Sequence, residues 1–444
     1  MVLLVAVAFV FTHYGKTNDQ DFMDMLGQYQ PSMEKQNTKV TFIFLSQMNN
    51  WGLYKRRNEA LLLELSQRDS VENVLHVEPF TAKGFVGLIV KWWRSPDNNI
   101  KQVFRLHFRK ALSLKPVLAD GGGKIYVYSI FVLYAGNFAL FKKLSNFLIR
   151  VQGGFINKSF VRSKKNVVLV AYPPSYYLPA AINAIKHDIL IADLVDDVIA
   201  RAKNEVIKNT FIKNYKSVLS QCDWIFANSP VVSDAYRDYT KQEIEFLPNG
   251  VDCDEYFKSS PDKLLKKDGR KVAGYVGNFF WVIDFDLLDY IVSCCPQIDF
   301  VLIGPTDKER FNHINNIASR YNNCHYLGAR KFTEVPDYMA GFDVLISFKK
   351  ADYKTRGNDS MKIYQYLATG KPIVTTPVSP ADRFADLIYV ASDKFEFVKY
   401  LKQALEENDP EISRKRINVA LENTWSKRAD VILDRVSKFF GERI

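Results

Sequence analysis

The chain has 444 residues, 47% hydrophobic and 25% charged, so it exceeds what one hydrophobic core serves and belongs to neither the collagen-like nor the disordered class. Five cysteines without a C-x-x-C spacing and six scattered histidines exclude a disulfide framework and a zinc-type site, and read as reduced thiols in a cytosolic protein. The net charge of +11 is concentrated: between Thr81 and Lys165 sixteen Lys or Arg stand against two acids, Asp97 and Asp120, leaving the remainder slightly acidic.

The opening run MVLLVAVAFVFT (1–12) is apolar but shorter than a bilayer requires, and it lacks a basic leader and a small-residue cleavage site. It reads as a buried strand. From Lys39 strand and helix patterns alternate. KVTFIFLS (39–46) is a strand, RNEALLLELSQR (57–68) a helix and ENVLHVEP (72–79) a strand closed by Pro79. The basic stretch that follows also holds Trp92, Trp93, Phe104, Phe108, Phe131, Phe138, Phe141 and Phe147. Within it, NFALFKKLSNFLIRV (137–151) sets Phe138, Phe141, Leu144, Phe147, Leu148 and Val151 on one helical face, with Lys142, Lys143 and Arg150 mostly off it. That pattern suits an anionic membrane surface. No nucleic-acid motif accompanies the charge.

Strand runs return at NVVLVAYPP (166–174), DILIADLVDD (188–197) and DWIFANSP (223–230), separated by helical patterns at 177–186 and 201–221. KSSPDKLLKKDGRK (258–271) reads as an interdomain linker. Beyond it come strands at 271–278, 299–305, 324–329, 342–348, 371–376 and 387–391, and then one long amphipathic helical stretch from Arg414 to Phe440. Strands alternating with helices imply parallel sheets covered on both faces, with ligands at the carboxyl ends of the strands.

One helix poses a chemical question. In NDSMKIYQYLATGKPIVTT (358–376), Met361, Ile363, Tyr364, Leu367 and Ala368 recur at helical spacing, Asn358, Asp359 and Ser360 stand where caps belong, and Thr369-Gly370 ends the helix. Lys362 nevertheless sits in the first turn, where the helix dipole disfavours a cation. An anion bound at that turn would justify it.

The segments PNGVD (248–252), GYVGN (274–278), VLIGP (301–305), YLGARKFTEVPDYMAGFDVLISF (326–348) and MKIYQYLATGKPIVTT (361–376) occur in this order. Together they resemble the donor domain of nucleotide-sugar glycosyltransferases of the GT-B fold, in particular the bacterial family-4-type enzymes of surface-polysaccharide assembly, including the teichuronic-acid type. Residues 49–80 and IADLVDDV (191–198) are similar to that group's N-terminal domain. The resemblance covers about residues 160 to 430. It implies an α/β architecture of two Rossmann-like, doubly wound domains facing a cleft. Residues 1–258 would bind the acceptor and 259–424 the donor, with 425–444 crossing back as a helix.

The same resemblance assigns roles. Lys362, with backbone donors at Ser360 and Met361 and charge from Arg356, would meet the donor's diphosphate. Gly277 and Asn278 would let backbone approach phosphate, Gly328, Ala329 and Arg330 would read the base edge, and Asn249 would lie in the cleft loop. Many relatives carry Glu, seven residues, then Glu; the matching positions are Gly357 and Gln365, which leaves Gln365 to hold the ribose. On the acceptor side, Asp196 or Asp197 in ADLVDD would serve as base or orienting group, with Arg56, Arg57 and Glu78 as further candidates. Asp252 and Asp254 in VDCD read as structural. The layout implies no metal and no cofactor beyond the nucleotide sugar.

The expected activity is transfer of a sugar from a nucleoside diphosphate, UDP, to a lipid-linked saccharide. The protein would be cytoplasmic and peripheral at the inner face of the plasma membrane, docked through residues 81–165. Two other readings are a non-catalytic GT-B scaffold that recruits partner transferases, motivated by Gly357 and Gln365, and a nucleotide-sugar epimerase.

Overall fold

The computed structural model describes residues 39–46, 56–81, 113, 116–118, 124–133, 139–162, 164–261, 269–279, 281–352 and 357–441. All belong to one compact unit, Thr38–Ile444. Residues 1–38, Trp92, Trp93, Phe104, Phe108, Phe138 and Arg356 lie outside the described residues, as does most of the basic stretch.

The described residues build two sheets. The first contains β1 (Val40–Leu45), β2 (Val71–Phe80), β3 (Val117–Leu118), β4 (Ile125–Phe131), β5 (Val167–Ala171), β6 (Ile189–Leu194), β7 (Trp224–Ala227) and β8 (Ile244–Phe246). Its order is β3-β4-β2-β1-β5-β6-β7-β8, parallel except where β3 meets β4. The second contains β9 (Lys271–Val276), β10 (Ile298–Ile303), β11 (Cys324–Gly328), β12 (Val344–Ser347), β13 (Ile373–Thr375) and β14 (Tyr389–Val390). Its order is β11-β10-β9-β12-β13-β14, parallel throughout.

Continuous apolar runs explain the parallel pairing. Every residue of β1, VTFIFL, is buried, as are all of β5 and β6. Strands with two buried faces need a layer on each, and separate apolar clusters line the two faces of each sheet. On one face of the first sheet, α1 (Arg57–Ser66) contributes Ala60, Leu61, Leu62 and Leu65 beside Phe42 and Phe44 of β1. On the other lies α2 (Ala139–Ile156).

In α2 the described buried positions are Ser145, Ile149, Gly153 and Ile156, while Leu144, Leu148 and Val151 are half-buried and Phe147 is 60% exposed. The helix is thus rotated from the face expected in the sequence. Ile149 takes the core, and Phe147 projects outward with Lys143 and Arg150, which are one turn away and also exposed.

The chain's end differs from expectation too. The long helical stretch is broken into α4 (Pro410–Glu422) and α5 (Trp425–Phe440), which follow α3 (Met361–Ala368). At the break, Thr424 pairs with Val251 and its Oγ1 accepts the Lys427 N–H at 3.3 Å, a side-chain N-cap. The break has a packing cause. Trp425, Ala429, Ile432 and Val436 join Phe42 and Leu61 in the core of the first sheet, whereas Ala420 packs in the second. The chain must turn there to return to the N-terminal domain. No helix among the described residues is long and apolar enough to cross a membrane.

Candidate functional site

In the second sheet, β10 and β13 flank β9 and β12 on their outer sides. The chain's direction of growth therefore reverses between β9 and β12, and the crevice beyond their carboxyl ends is where open α/β sheets bind ligands. β9 leads into Gly277 at φ +148, a conformation that L side chains avoid. A Cβ there would lie 1.8 Å from Lys362 Cε and 2.0 Å from Nζ. The missing side chain is what admits the lysine.

Lys362 is half-buried as a residue, and its ammonium is the enclosed end. It donates a hydrogen bond to the Tyr275 hydroxyl and lies 4.0 Å from the centroid of that ring. The Tyr275 hydroxyl donates onward to the Asn278 carbonyl at 3.2 Å. Burial raises the phenol's pKa well above its ordinary value, so it remains a neutral donor. Burial, and then the nearby Lys349, push the Lys362 pKa well below that of a free lysine. Among the described residues this side-chain nitrogen is met by the Tyr275 phenol and its ring face, and by no carboxylate.

The start of α3 is organised differently from the capping expected. Ser360 occupies the cap position, but its hydroxyl accepts from Lys349 Nζ at 2.8 Å instead of capping the helix. Asp359 is also diverted. Its carboxylate accepts from the Asn249 N–H, from the Tyr364 hydroxyl at 2.9 Å and 3.0 Å, and from Arg383. Burial raises its pKa, opposed chiefly by Arg383. The Asn249 side-chain amide in turn donates to the Asp359 carbonyl.

Arg57 continues this polar chain into the N-terminal domain. It pairs with both Asp193 oxygens at 2.8 Å and 2.9 Å and donates to the Pro248 carbonyl at 2.9 Å and the Asn249 amide oxygen at 3.3 Å. Arg57 is only 4% exposed, so it presents nothing to an acceptor. It and Asn249 tie the domains together.

Residues 270–407 match the family model described as glycosyl transferases group 1. That segment is a glycosyl transferases group 1 domain. TuaH of Bacillus subtilis (strain 168), named as a teichuronic acid biosynthesis glycosyltransferase, is 22% identical over 243 residues. The match spans 52% of this chain and 59% of TuaH. HepE of Anabaena, solved with UDP and glucose, superposes with a TM-score of 0.59 at 14% identity, over 90% of this chain and 99% of its own. A trehalose-6-phosphate structure from E. coli bound with UDP-2-fluoro glucose gives 0.63 at 10% identity, over 89% and 99%. Sucrose-phosphate synthase from Thermosynechococcus elongatus gives 0.62 at 13% identity, over 91% and 100%. The fold of this chain is GT-B.

Within the glycosyl transferases group 1 domain, the other expected residues are spread around the crevice. Gly277 and Asn278 follow β9, and the Asn278 carbonyl accepts from the Tyr275 hydroxyl. Gly328 (φ +74) ends β11 two strands away, with Ala329 and Arg330 following it, and the Gly328 carbonyl accepts the Gly304 N–H at 2.9 Å. The exposed Arg330 lies 5.8 Å from the Tyr338 ring. Met361 and Gln365 line a hollow of about 10 Å³ with Asp252, Glu255, Phe332 and Trp425, room for a single water at most. Asp252 also precedes the short helix Cys253–Phe257, which contains Asp254.

Opposite the GT-B crevice, Asp196 follows β6 at φ +62. Its N–H donates to Asn228 Oδ1 at 3.2 Å, and its carboxylate accepts from Arg201 at 3.0 Å. Its partner Arg201 reaches the Trp281 ring of the C-terminal domain at 5.5 Å, which sets this pair at the boundary with that domain. Asp197 is committed locally, accepting from the Ala200 N–H at 3.0 Å and the Tyr236 hydroxyl at 3.1 Å. Arg56 is half-buried at the N-cap of α1. Glu78 is fully buried beside His76, whose Nε2 is 3.3 Å from its carboxylate.

Sequence reasoning missed Lys349, Tyr275 and Arg201. Arg201 stands over the Trp281 ring at 5.5 Å, across from its own domain. Only Lys349 had a local signal, as a cation closing the apolar run FDVLISFKK.

Proposed function

We propose that this chain is a glycosyltransferase that moves a sugar from a nucleoside-diphosphate sugar, a UDP-sugar, to a lipid-linked glycan in bacterial surface-polysaccharide synthesis. One observation carries the reading: the Lys362 ammonium is enclosed at the switch crevice between Tyr275 and Gly277, beside the first turn of α3. As the anomeric carbon–oxygen bond breaks, charge develops on the departing diphosphate, and a fixed ammonium beside the helix N-terminus stabilises it. The Ser360 N–H expected to help is instead held by the Ser379 carbonyl at 3.3 Å. The acceptor oxygen forms the new bond, and its proton passes to Asp196, the carboxylate at the boundary with the C-terminal domain. With these cations in place the reaction needs no metal. The names of TuaH and the UDP-bound neighbours support the donor class and the surface-glycan role.

Docking at the inner membrane face is part of the proposal. Phe147, 60% exposed between Lys143 and Arg150, offers an apolar wedge within positive charge. A separate open hollow of about 790 Å³, lined by Lys158, Arg162, Lys164 and Lys186, extends the basic surface far from the crevice.

Calorimetry with UDP and turnover with UDP-sugars test the proposal. Lys362→Met should retain its fold by circular dichroism and lose about 10²–10³-fold in kcat. Unchanged donor binding and turnover would remove the lysine from the chemistry.

A scaffold that recruits partner transferases is favoured by one finding. Gly357 sits against the N-terminal domain, where a Cβ would meet Asp197 Cβ at 2.9 Å and Asp197 N at 3.0 Å. This arrangement has no room for the acid that many relatives carry there. No UDP or GDP binding at millimolar concentration would support the scaffold.

A further inference from the structure

Lys349 follows β12, on the other side of the crevice from Gly277, and is 8% exposed. Thr376 fixes its backbone, accepting the Lys349 N–H at 3.1 Å and donating to its carbonyl at 2.7 Å. The ammonium donates to Ser360 Oγ at 2.8 Å, which brings it to the turn that carries Lys362. Among the described residues no carboxylate lies within ion-pair distance of it. Asp196 and Asp359 act from further off and favour its charge, while Arg201 and Lys362 oppose it.

Burying an ammonium costs more than one bond to a neutral hydroxyl returns. A purely packed position would hold methionine or leucine without that cost. Two enclosed ammoniums, each held by a neutral oxygen, thus meet the start of one helix, Lys362 from within its first turn and Lys349 through the N-cap hydroxyl of Ser360.

We propose that Lys349 is a second binding cation for the donor's diphosphate, holding from the β12 side the group that Lys362 holds from α3. The proposal rests on the reading of this crevice as the diphosphate site. Burial pushes the Lys349 pKa down to about 8, with Asp196 partly restoring it and Arg201 opposing. A bound dianion raises it again. Binding should therefore take up protons above pH 8, and affinity should fall as pH rises through that value.

The test is calorimetry of the full chain with UDP and with uridine, in two buffers of different ionisation enthalpy, at pH 7 and pH 9. Lys349→Met should weaken UDP at least tenfold at pH 7, leave uridine unchanged and reduce proton uptake. Lys349→Arg, always charged, should bind UDP and also show reduced uptake, which keeps the test open should the methionine variant fail to fold. UDP affinity within twofold of the parent in Lys349→Met, equal losses for UDP and uridine, or undiminished uptake in Lys349→Arg would overturn the role of Lys349. A parent chain that does not bind UDP would overturn the diphosphate reading itself.

Discussion

Gly277 and Lys362 form one device. The glycine's φ of +148 and its absent side chain create the space that the ammonium fills, and the phenol of Tyr275 holds that ammonium from the other side. Gly277→Ala places a methyl group where Nζ now stands. It should destabilise the chain by about 1–3 kcal/mol through backbone strain and weaken UDP at least tenfold by displacing the lysine. Denaturant unfolding and calorimetry on the same sample would read both effects. Parental UDP affinity in a destabilised Gly277→Ala would show that the glycine serves the turn alone. Lys362 was legible because a cation in a first turn conflicts with the helix dipole. Lys349 gave only the weak signal of a cation closing an apolar run, which is ordinary at a strand end until its surroundings are known.

Among the elements, the helices at the chain's end show how packing overrides periodicity. The pattern from Arg414 to Phe440 is helical throughout, yet the chain bends at Asn423–Thr424 because the apolar stripes on either side belong to different cores. Thr424 is thus a cap as well as a turning point. Thr424→Ala should cost about 1 kcal/mol, read as a lower denaturation midpoint with an unchanged slope. A variant as stable as the parent would mean that the Val251 backbone pairing holds the bend without the cap. Similar reasoning covers α2. Its periodicity allowed more than one buried face, and contact with the sheet selected Ile149 over Phe147. β4 was hidden in the basic stretch, where charge dominated the reading. β8 was missed because it has three residues and none is buried.

Across the molecule, the two domains are joined by a buried polar chain from Asp193 through Arg57 and Asn249 to Asp359, Tyr364 and Arg383. Its members come from five separated parts of the sequence. Removing Asp359 leaves the Asn249 N–H and Arg383 without their anion inside the protein, so Asp359→Ala should cost about 3–5 kcal/mol. Because the loss falls on the crossing between domains, differential scanning calorimetry should resolve two transitions where the parent shows one. A single transition at the parental temperature would place the coupling elsewhere, in the contact of α5 with α1. The same chain explains the fate of Arg57 and Asn249, which were read as cleft residues and are consumed in holding the cleft's walls together.

Local pattern was sufficient for the alternating α/β architecture, because buried parallel strands must be continuously apolar and surface helices must be amphipathic, and both constraints are written within a few residues. It was sufficient too to single out Lys362, where residue type and helix position disagree on their own. Strand order was decided by folding alone. Only pairing across long crossovers sets β12 beside β9, and so sets Lys349 opposite Gly277. Burial of a charge is likewise a property of what surrounds it, contributed by segments that no sequence window contains together.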